Sequence, residues 1–198
     1  MLLLRVKNNL IKDLQKKQEI GTVKKQDTLE NQVNLVYLAF GSNLGDRKNN
    51  LNKALSLLKK DNIIIKKISK LYRSKSWPNK NFPEFINFVA LIETRLNLKK
   101  LFTKIKSVES RVGRIKSKRN FPRVCDIDII DFNGQIIQKK IGNNKINIPH
   151  ERMHNRNFVL LPLFEINKDW FHPKLYKNIV FLLSNLSSEQ LLGIKIVQ

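Results

Sequence analysis

From Val124 to Ile130 the chain reads Val-Cys-Asp-Ile-Asp-Ile-Ile. It is an apolar, β-branched stretch interrupted by two carboxylates two residues apart. Valine, isoleucine and a period of two make this a strand, and on a strand residues i and i+2 point to the same face. Asp126 and Asp128 therefore stand side by side, with Arg123 three residues upstream of the first. Two adjacent carboxylates repel each other, and burying them adds a desolvation cost. Any fold that keeps this strand must bring something strongly positive to that face. A hard divalent cation with oxygen ligands, Mg²⁺ on a phosphorylated substrate, meets the requirement. Cys125 is the only cysteine. It lies on the opposite face as a small core residue and excludes an internal disulfide or a Cys-rich zinc site.

The segment before the strand supplies the opposite charge. Arg114, Lys116, Lys118, Arg119 and Arg123 are placed to converge on phosphate oxygens, which arginine forks match bidentately. Two acids for a metal and several bases for phosphate are the minimal set for phosphoryl or nucleotidyl transfer, in which catalysis is mostly positioning plus electrostatics. The overall charge is less informative. Lys+Arg number 38 against 16 Asp+Glu, a net charge of +22, but the lysines are scattered among Asn and Ile along the whole chain. No apolar run approaches the roughly 18 residues of a membrane span, and Met1-Leu2-Leu3-Leu4 is cut off by Arg5. A cytoplasmic protein with no membrane partner is expected.

Residues 1–32 are rich in Lys, Gln, Asn and Glu and read as a basic N-terminal extension, a frayed helix plus linker outside the core; residues 33–198 read as a single domain. A strand over 33–40 ends at Gly41-Ser42-Asn43. Leu44, Leu51, Ala54, Leu55 and Leu58 then mark one face of a helix, capped by Ser42 or Asn43. Ile63–Tyr72 reads as a second strand, 73–83 as a loop and Phe85–Glu93 as a third, buried strand. Leu98, Leu101, Phe102, Ile105, Val108 and Val112 form a second amphipathic helix that stops at Gly113. The order β-α-β-β-α-β predicts an α+β, ferredoxin-like core. Asn133-Gly134 predicts a hairpin with a partner near Gln135–Gln138, followed by a short strand ending at Ile148-Pro149. Helices are expected near Asn157–Ile166 and Lys174–Leu186.

Several of these blocks together resemble one family. Gly41-Ser42-Asn43-Leu44-Gly45-Asp46 after a strand, Phe85-Ile86-Asn87, Glu109 with Gly113-Arg114, Pro122-Arg123-Val124-Cys125-Asp126-Ile127-Asp128-Ile129, and Pro149-His150 with Asn155-Arg156-Asn157-Phe158 are similar, in order and nearly in spacing, to 6-hydroxymethyl-7,8-dihydropterin pyrophosphokinases. The resemblance covers about residues 35–170 and implies a ferredoxin-like core with additions. It implies transfer of the β,γ-diphosphate of ATP to the hydroxymethyl group of 6-hydroxymethyl-7,8-dihydropterin, with release of AMP, in folate synthesis. It implies that Asp126 and Asp128 bind two Mg²⁺ ions, and that Arg114 and Arg123 stabilise charge on the transferred group. Glu109, Lys116, Ile129, His150 and Arg156 would join those arginines in the ATP site, and Ser74, Phe85, Asn87 and Phe158 would hold the pterin. It further implies a monomer with small-molecule substrates and no nucleic-acid partner. The chain departs from the family pattern in having Phe85 in place of a frequent Tyr, Lys116 in place of a second loop arginine, and Asn120-Phe121 where a tryptophan is common.

Two other readings compete. His150-Glu151-Arg152-Met153-His154 matches H-E-x-x-H, the zinc-protease signature. Pro149 directly before it and the polar Arg152, Asn155 and Arg156 argue against a buried zinc helix, and only Glu165, Asp169 or His172 remain as a third ligand. The second is a basic RNA-binding module on the same sheet topology, which requires solvent-facing aromatics on the middle strands.

Overall fold

The structure, a computed structural model, describes residues 32–60, 63–115, 117 and 120–197. The expected N-terminal helix lies outside the described residues, as do Lys116, Lys118 and Arg119. The elements begin β1 (Asn34–Ser42), α1 (Arg47–Lys60), β2 (Ile64–Ile68), β3 (Tyr72–Ser74), β4 (Phe85–Thr94), α2 (Leu98–Val112) and β5 (Asp126–Phe132). β6 (Ile137–Ile141) and β7 (Asn144–Ile148) follow, then a 3-10 turn at Met153–Asn155 and α3 (Asn157–Ile166). The C-terminal part holds β8 (Phe171–His172), β9 (Lys177–Asn178), α4 (Ile179–Ser184), α5 (Ser188–Leu192) and β10 (Ile194–Ile196).

The main sheet is antiparallel, in the order β10-β3-β4-β1-β5, with β2 also pairing β4. Alternation along the central strands decides its two faces. Val36, Leu38 and Phe40 of β1, Phe88 and Ile92 of β4 and Ile127 of β5 join Leu51, Ala54 and Leu58 of α1 and Leu101, Ile105 and Val108 of α2 in one core. The Phe40 and Phe88 rings stack there, with centroids 4.4 Å apart. The opposite face, with Val89 and Ile130, packs against Val159, Leu160 and Leu163 of α3 and Ile179 and Leu182 of α4. Each large side chain so buried stabilises the fold by about 1.5–3 kcal/mol. No described helix is long and apolar enough to cross a membrane.

Several local expectations are corrected. The second strand is divided, because the Ser69 hydroxyl accepts the Val89 N–H at 3.0 Å and interrupts the ladder between β2 and β3. α1 begins at Arg47 rather than Leu44. Gly45 turns the chain at φ +62°, and Asp46 caps the helix by accepting the Asn49 N–H at 3.1 Å. Ser42 and Asn43 are buried instead. Asn133-Gly134 does turn the chain, with both residues at positive φ, but no hairpin follows. β6 pairs β7 across Gly142, and not β5. The expected helix from Lys174 shortens to α4 because Phe171–His172 and Lys177–Asn178 pair first. α5 and β10, which carry no strong periodicity, complete the edge beside β3.

His172 in that C-terminal hairpin is 3% exposed. Its Nδ1 accepts the N–H groups of Lys174 and Leu175 at 3.3 and 3.2 Å. Burial pushes its pKa down to about 4, so folding favours the neutral ring. Unfolded chain takes up the proton near pH 6.5, whereas folded chain resists until about 4. Stability is therefore full above pH 6.5 and declines as pH falls towards 4, by up to about 1.4 kcal/mol per unit for this one group. Urea unfolding of wild-type protein at pH 7, 6, 5 and 4 checks this, with a shallower decline expected for His172→Asn.

Candidate active site

At the end of β1 four strands place residues in one row. Gly41 of β1 pairs with Asn87 of β4 on one side and with Asp126 of β5 on the other, and Asn87 in turn pairs with Tyr72 of β3. Register partners of an antiparallel sheet share a face. By strand parity this is the face that α3 covers at Val89 and Ile130. α3 does not seal the end of the sheet carrying the row. The Asp126 and Asp128 side chains keep 27% and 35% of their exposure.

Asp126 Oδ1 accepts from Nη1 of Arg114 at 2.8 Å and from Nη1 of Arg123 at 3.1 Å. Burial alone would raise the Asp126 pKa, but Arg123, Arg114 and Lys106 together hold it below the usual carboxylate range. It is ionised at neutral pH. Asp128 Oδ2 lies 3.6 Å from both His150 Nε2 and Arg156 Nη1, within ion-pair range but too long for hydrogen bonds. Burial lowers the pKa of His150 against the opposing pull of Asp128, so the ring is neutral at pH 7. Nδ1 accepts the Arg152 N–H at 3.3 Å, which leaves the ring hydrogen on Nε2, facing Asp128.

Glu109 sits behind this arrangement. It is 2% exposed. Its Oε1 accepts from Arg114 and from the Ile127 N–H at 2.8 Å, and its Oε2 meets Lys106 Nζ at 2.9 Å. Its carboxylate thus acts on the site through Arg114. Gly113, at φ 117°, closes α2 and turns the chain so that Arg114 reaches both acids. The donor set fits a hard cation. Two carboxylates stand on one strand face, and among the described residues no group of three or more His, Cys, Asp and Glu is gathered to hold a metal. A Mg²⁺ here would complete its shell with phosphate and water, as that ion commonly does.

On the other side of Gly41, Asn87 is 4% exposed and donates to Ser74 Oγ at 2.9 Å and to the Tyr72 carbonyl at 3.4 Å. Phe85, half-buried, shares its face. Phe158 lies in the first turn of α3, with the Arg156 guanidinium 5.5 Å from its ring centroid.

The geometry has a counterpart among known proteins. Residues 37–168 match the family model described as 7,8-dihydro-6-hydroxymethylpterin-pyrophosphokinase. The chain belongs to that family. It is 39% identical over 138 residues to the 2-amino-4-hydroxy-6-hydroxymethyldihydropteridine pyrophosphokinase of Aquifex aeolicus, covering 70% of this chain and 83% of that protein. It is 41% identical over 143 residues to the folic acid synthesis protein FOL1 of Dictyostelium discoideum, covering 72% of this chain but only 21% of the relative. In fold it is similar to a Plasmodium falciparum HPPK-DHPS crystallised with pterin and p-hydroxybenzoate, with a TM-score of 0.68 at 15% identity over 86% of this chain and 49% of that one.

Within this pyrophosphokinase-family chain the residues singled out from sequence fall into three contacting groups: Arg114, Arg123 and Asp126; Asp128, His150 and Arg156; and Ser74, Phe85 and Asn87 around Gly41. Ile129 is a partial correction. It is 7% exposed in the core under α1 and α2, opposite the acids, so its side chain does not line the site. Cys125 lies in that same core, where burial pushes its thiol up to about 12. The zinc motif is not assembled. His150 faces Asp128, whereas the His154 ring stands edge-on to His172 with centroids 6.3 Å apart. The RNA-binding alternative is not supported, since the face of β4 carrying Val89 and Leu91 is packed under α3 and offers no open stacking platform.

Gly41 was visible in the sequence as part of a turn motif, but its steric role was not. A Cβ there would stand 3.1 Å from Asn87 Oδ1 and 3.3 Å from Phe85 Cδ1. Gly41→Ala is expected to displace Asn87 from Ser74 and lower unfolding free energy by about 1–3 kcal/mol, as overpacking does. A crystal structure and a denaturant titration of the variant check both.

Proposed function

We propose that this chain transfers the β,γ-diphosphate of ATP to the hydroxymethyl oxygen of 6-hydroxymethyl-7,8-dihydropterin, releasing AMP, as a step in folate synthesis. The observation that carries the reading is the row Asn87–Gly41–Asp126. Asn87 and Asp126 are two inter-strand spacings apart, about 10 Å, with only a glycine between them. An amide suited to a pterin edge and an acid suited to metal-bound phosphate therefore stand on the same face of the sheet. On this reading residues 33–198 form a single domain on a ferredoxin-like plan, which works as a cytoplasmic monomer on small-molecule substrates without a nucleic-acid partner.

The roles follow from the contacts. Asp126 and Asp128 would hold Mg²⁺, two ions on this reading, and the metal would neutralise phosphate charge and draw the triphosphate towards the acceptor hydroxyl. Arg114 and Arg123, which neutralise Asp126 in the free protein, are placed to meet the oxygens of the transferred group as charge builds there. Glu109 keeps Arg114 pointed at that space. His150 and Arg156 flank Asp128 and would contact the nucleotide phosphates; Lys116, outside the described residues, is proposed as a further ATP contact on the family resemblance alone. Asn87 and Ser74 would hydrogen-bond the pterin edge, and Phe85 and Phe158 would supply apolar surface to its ring. The hydroxymethyl oxygen attacks the β-phosphorus in line, the bond from that phosphorus to the α-phosphate oxygen breaks so that AMP departs, and the hydroxyl proton passes to solvent. No side chain is assigned as general base.

Protein incubated with MgATP and 6-hydroxymethyl-7,8-dihydropterin is expected to form AMP only when the pterin is present. Asp126→Ala and Asp128→Ala should each lower kcat by about 10²–10³, the usual cost of one such electrostatic element. Both side chains are partly exposed, so the fold should survive, as circular dichroism would show. Wild-type rates in both variants would sink the metal assignment.

His150 and His154 separate this site from the zinc motif. His150→Ala removes one donor beside Asp128 and is expected to lower kcat/KM for ATP several-fold, the equivalent of about 0.5–1.5 kcal/mol. His154→Ala should change it less than twofold. Equal, severe losses accompanied by stoichiometric zinc would mean that the two histidines serve a zinc site instead.

A further inference from the structure

Asn43 ends the Gly-Ser-Asn motif, touches none of the acids, and is 2% exposed. Its side chain is almost fully spent on two separate segments. Nδ2 donates to Ser76 Oγ at 3.2 Å and to the Pro83 carbonyl at 3.1 Å. Ser76 Oγ itself donates to that same carbonyl at 2.6 Å. The three groups form a closed triangle that pinches the neck of the loop between β3 and β4. On its other side, Asn43 Oδ1 accepts the Arg123 N–H at 2.7 Å, and the Asn43 N–H donates to the Arg123 carbonyl at 3.1 Å. Arg123 is thus clamped through both of its backbone polar groups. An asparagine offers two donors and two acceptor lone pairs; three of the four are used here, in a place that solvent hardly reaches.

The two segments so joined serve opposite ends of the site. The loop runs from Ser74 to Phe85, the residues flanking Asn87. Arg123 reaches Asp126. A second, looser contact links them further out, where the Phe82 and Phe121 rings approach to 5.6 Å between centroids. We propose that Asn43 is the positioning residue that keeps the 75–84 loop in register with Arg123, so that the pterin and the phosphate to be transferred meet at a fixed separation. This rests on the activity proposed above. The residue type matters as well as its size: only an amide presents donors to Ser76 and Pro83 and an acceptor to Arg123 from one short side chain.

The two halves can be separated. Asn43→Asp keeps the acceptor for Arg123 but turns an oxygen towards the Pro83 carbonyl. Asn43→Ala removes both links, and Ser76→Ala weakens the loop neck alone. In Asn43→Asp, hydrogen exchange should quicken across 75–84 and stay at the wild-type rate at Arg123. Its KM for the pterin should rise about tenfold, the factor expected for one to two lost hydrogen bonds, while kcat changes less than threefold. In Asn43→Ala the Arg123 amide should also exchange faster, and kcat should fall about tenfold as well. Ser76→Ala should raise the pterin KM about threefold with kcat unchanged, and it carries the test if Asn43→Ala does not fold. Unchanged exchange and unchanged pterin KM in active Asn43→Asp and Ser76→Ala enzymes would overturn the proposal. So would kcat losses in strict proportion to the fraction unfolded. Variants that showed this exchange pattern, from a wild-type protein that made no AMP, would instead overturn the activity and leave the coupling of the two segments standing.

Discussion

The buried carboxylate of Glu109 is the interaction on which the Arg114–Asp126 end of the site depends. An ionised carboxylate taken out of water costs several kcal/mol unless its lone pairs are met. Burial does raise the Glu109 pKa, while Lys106, Arg114 and the Ile127 N–H oppose that rise. Meeting those lone pairs forces a particular arrangement. The last turns of α2 must lie against the first residues of β5, and Arg114 must fold back over the helix end. Once Arg114 is there, its guanidinium reaches Asp126 as well. One buried acid therefore sets the position of a strand and the direction of a cation. A substitution that removed it would leave Arg114 aimed by Asp126 alone.

How much of this was legible in the sequence depends on the range of the interaction. Strand parity at Asp126 and Asp128 is a local property, and the structure keeps both acids on one face. α2 spans Leu98–Val112 and α3 spans Asn157–Ile166, where the apolar spacing and Gly113 placed them. The amphipathic signal is strong in such elements because one face packs on a sheet. The site groupings were legible through family resemblance, since nothing local to His150 or Arg156 says that Asp128 is their neighbour.

What was missed is non-local. The break between β2 and β3 comes from a serine hydroxyl bonding to a strand distant in sequence. The failed hairpin at Asn133-Gly134 has a good turn signal but no partner. Gly134 donates to Asp131 Oδ1 at 2.7 Å, and the Trp170 indole donates to Asp131 Oδ2 at 2.8 Å, so the chain leaves the sheet there. The pairing of β1 with β5 also shifts register between Tyr37 and Leu38, an irregularity that puts Ile130 and Asp131 on one face and that no two-residue period reveals. Asn43 looked like a helix cap because capping is the commonest local use of asparagine at such a position; its real partners lie in two loops that only the folded sheet brings near.

β10 completes the sheet from the far end of the described chain. β3 is three residues long, and before Ile194–Ile196 arrive its outer edge presents unpaired N–H and C=O groups beside Ser74 and Arg73. An open edge of this kind is where another chain can add itself. On the ribosome, the helices and central strands can assemble while that edge still waits for Ile194–Ile196 to emerge. The β3 margin of the sheet then closes after its centre and stays open to mispairing between nascent chains until it does.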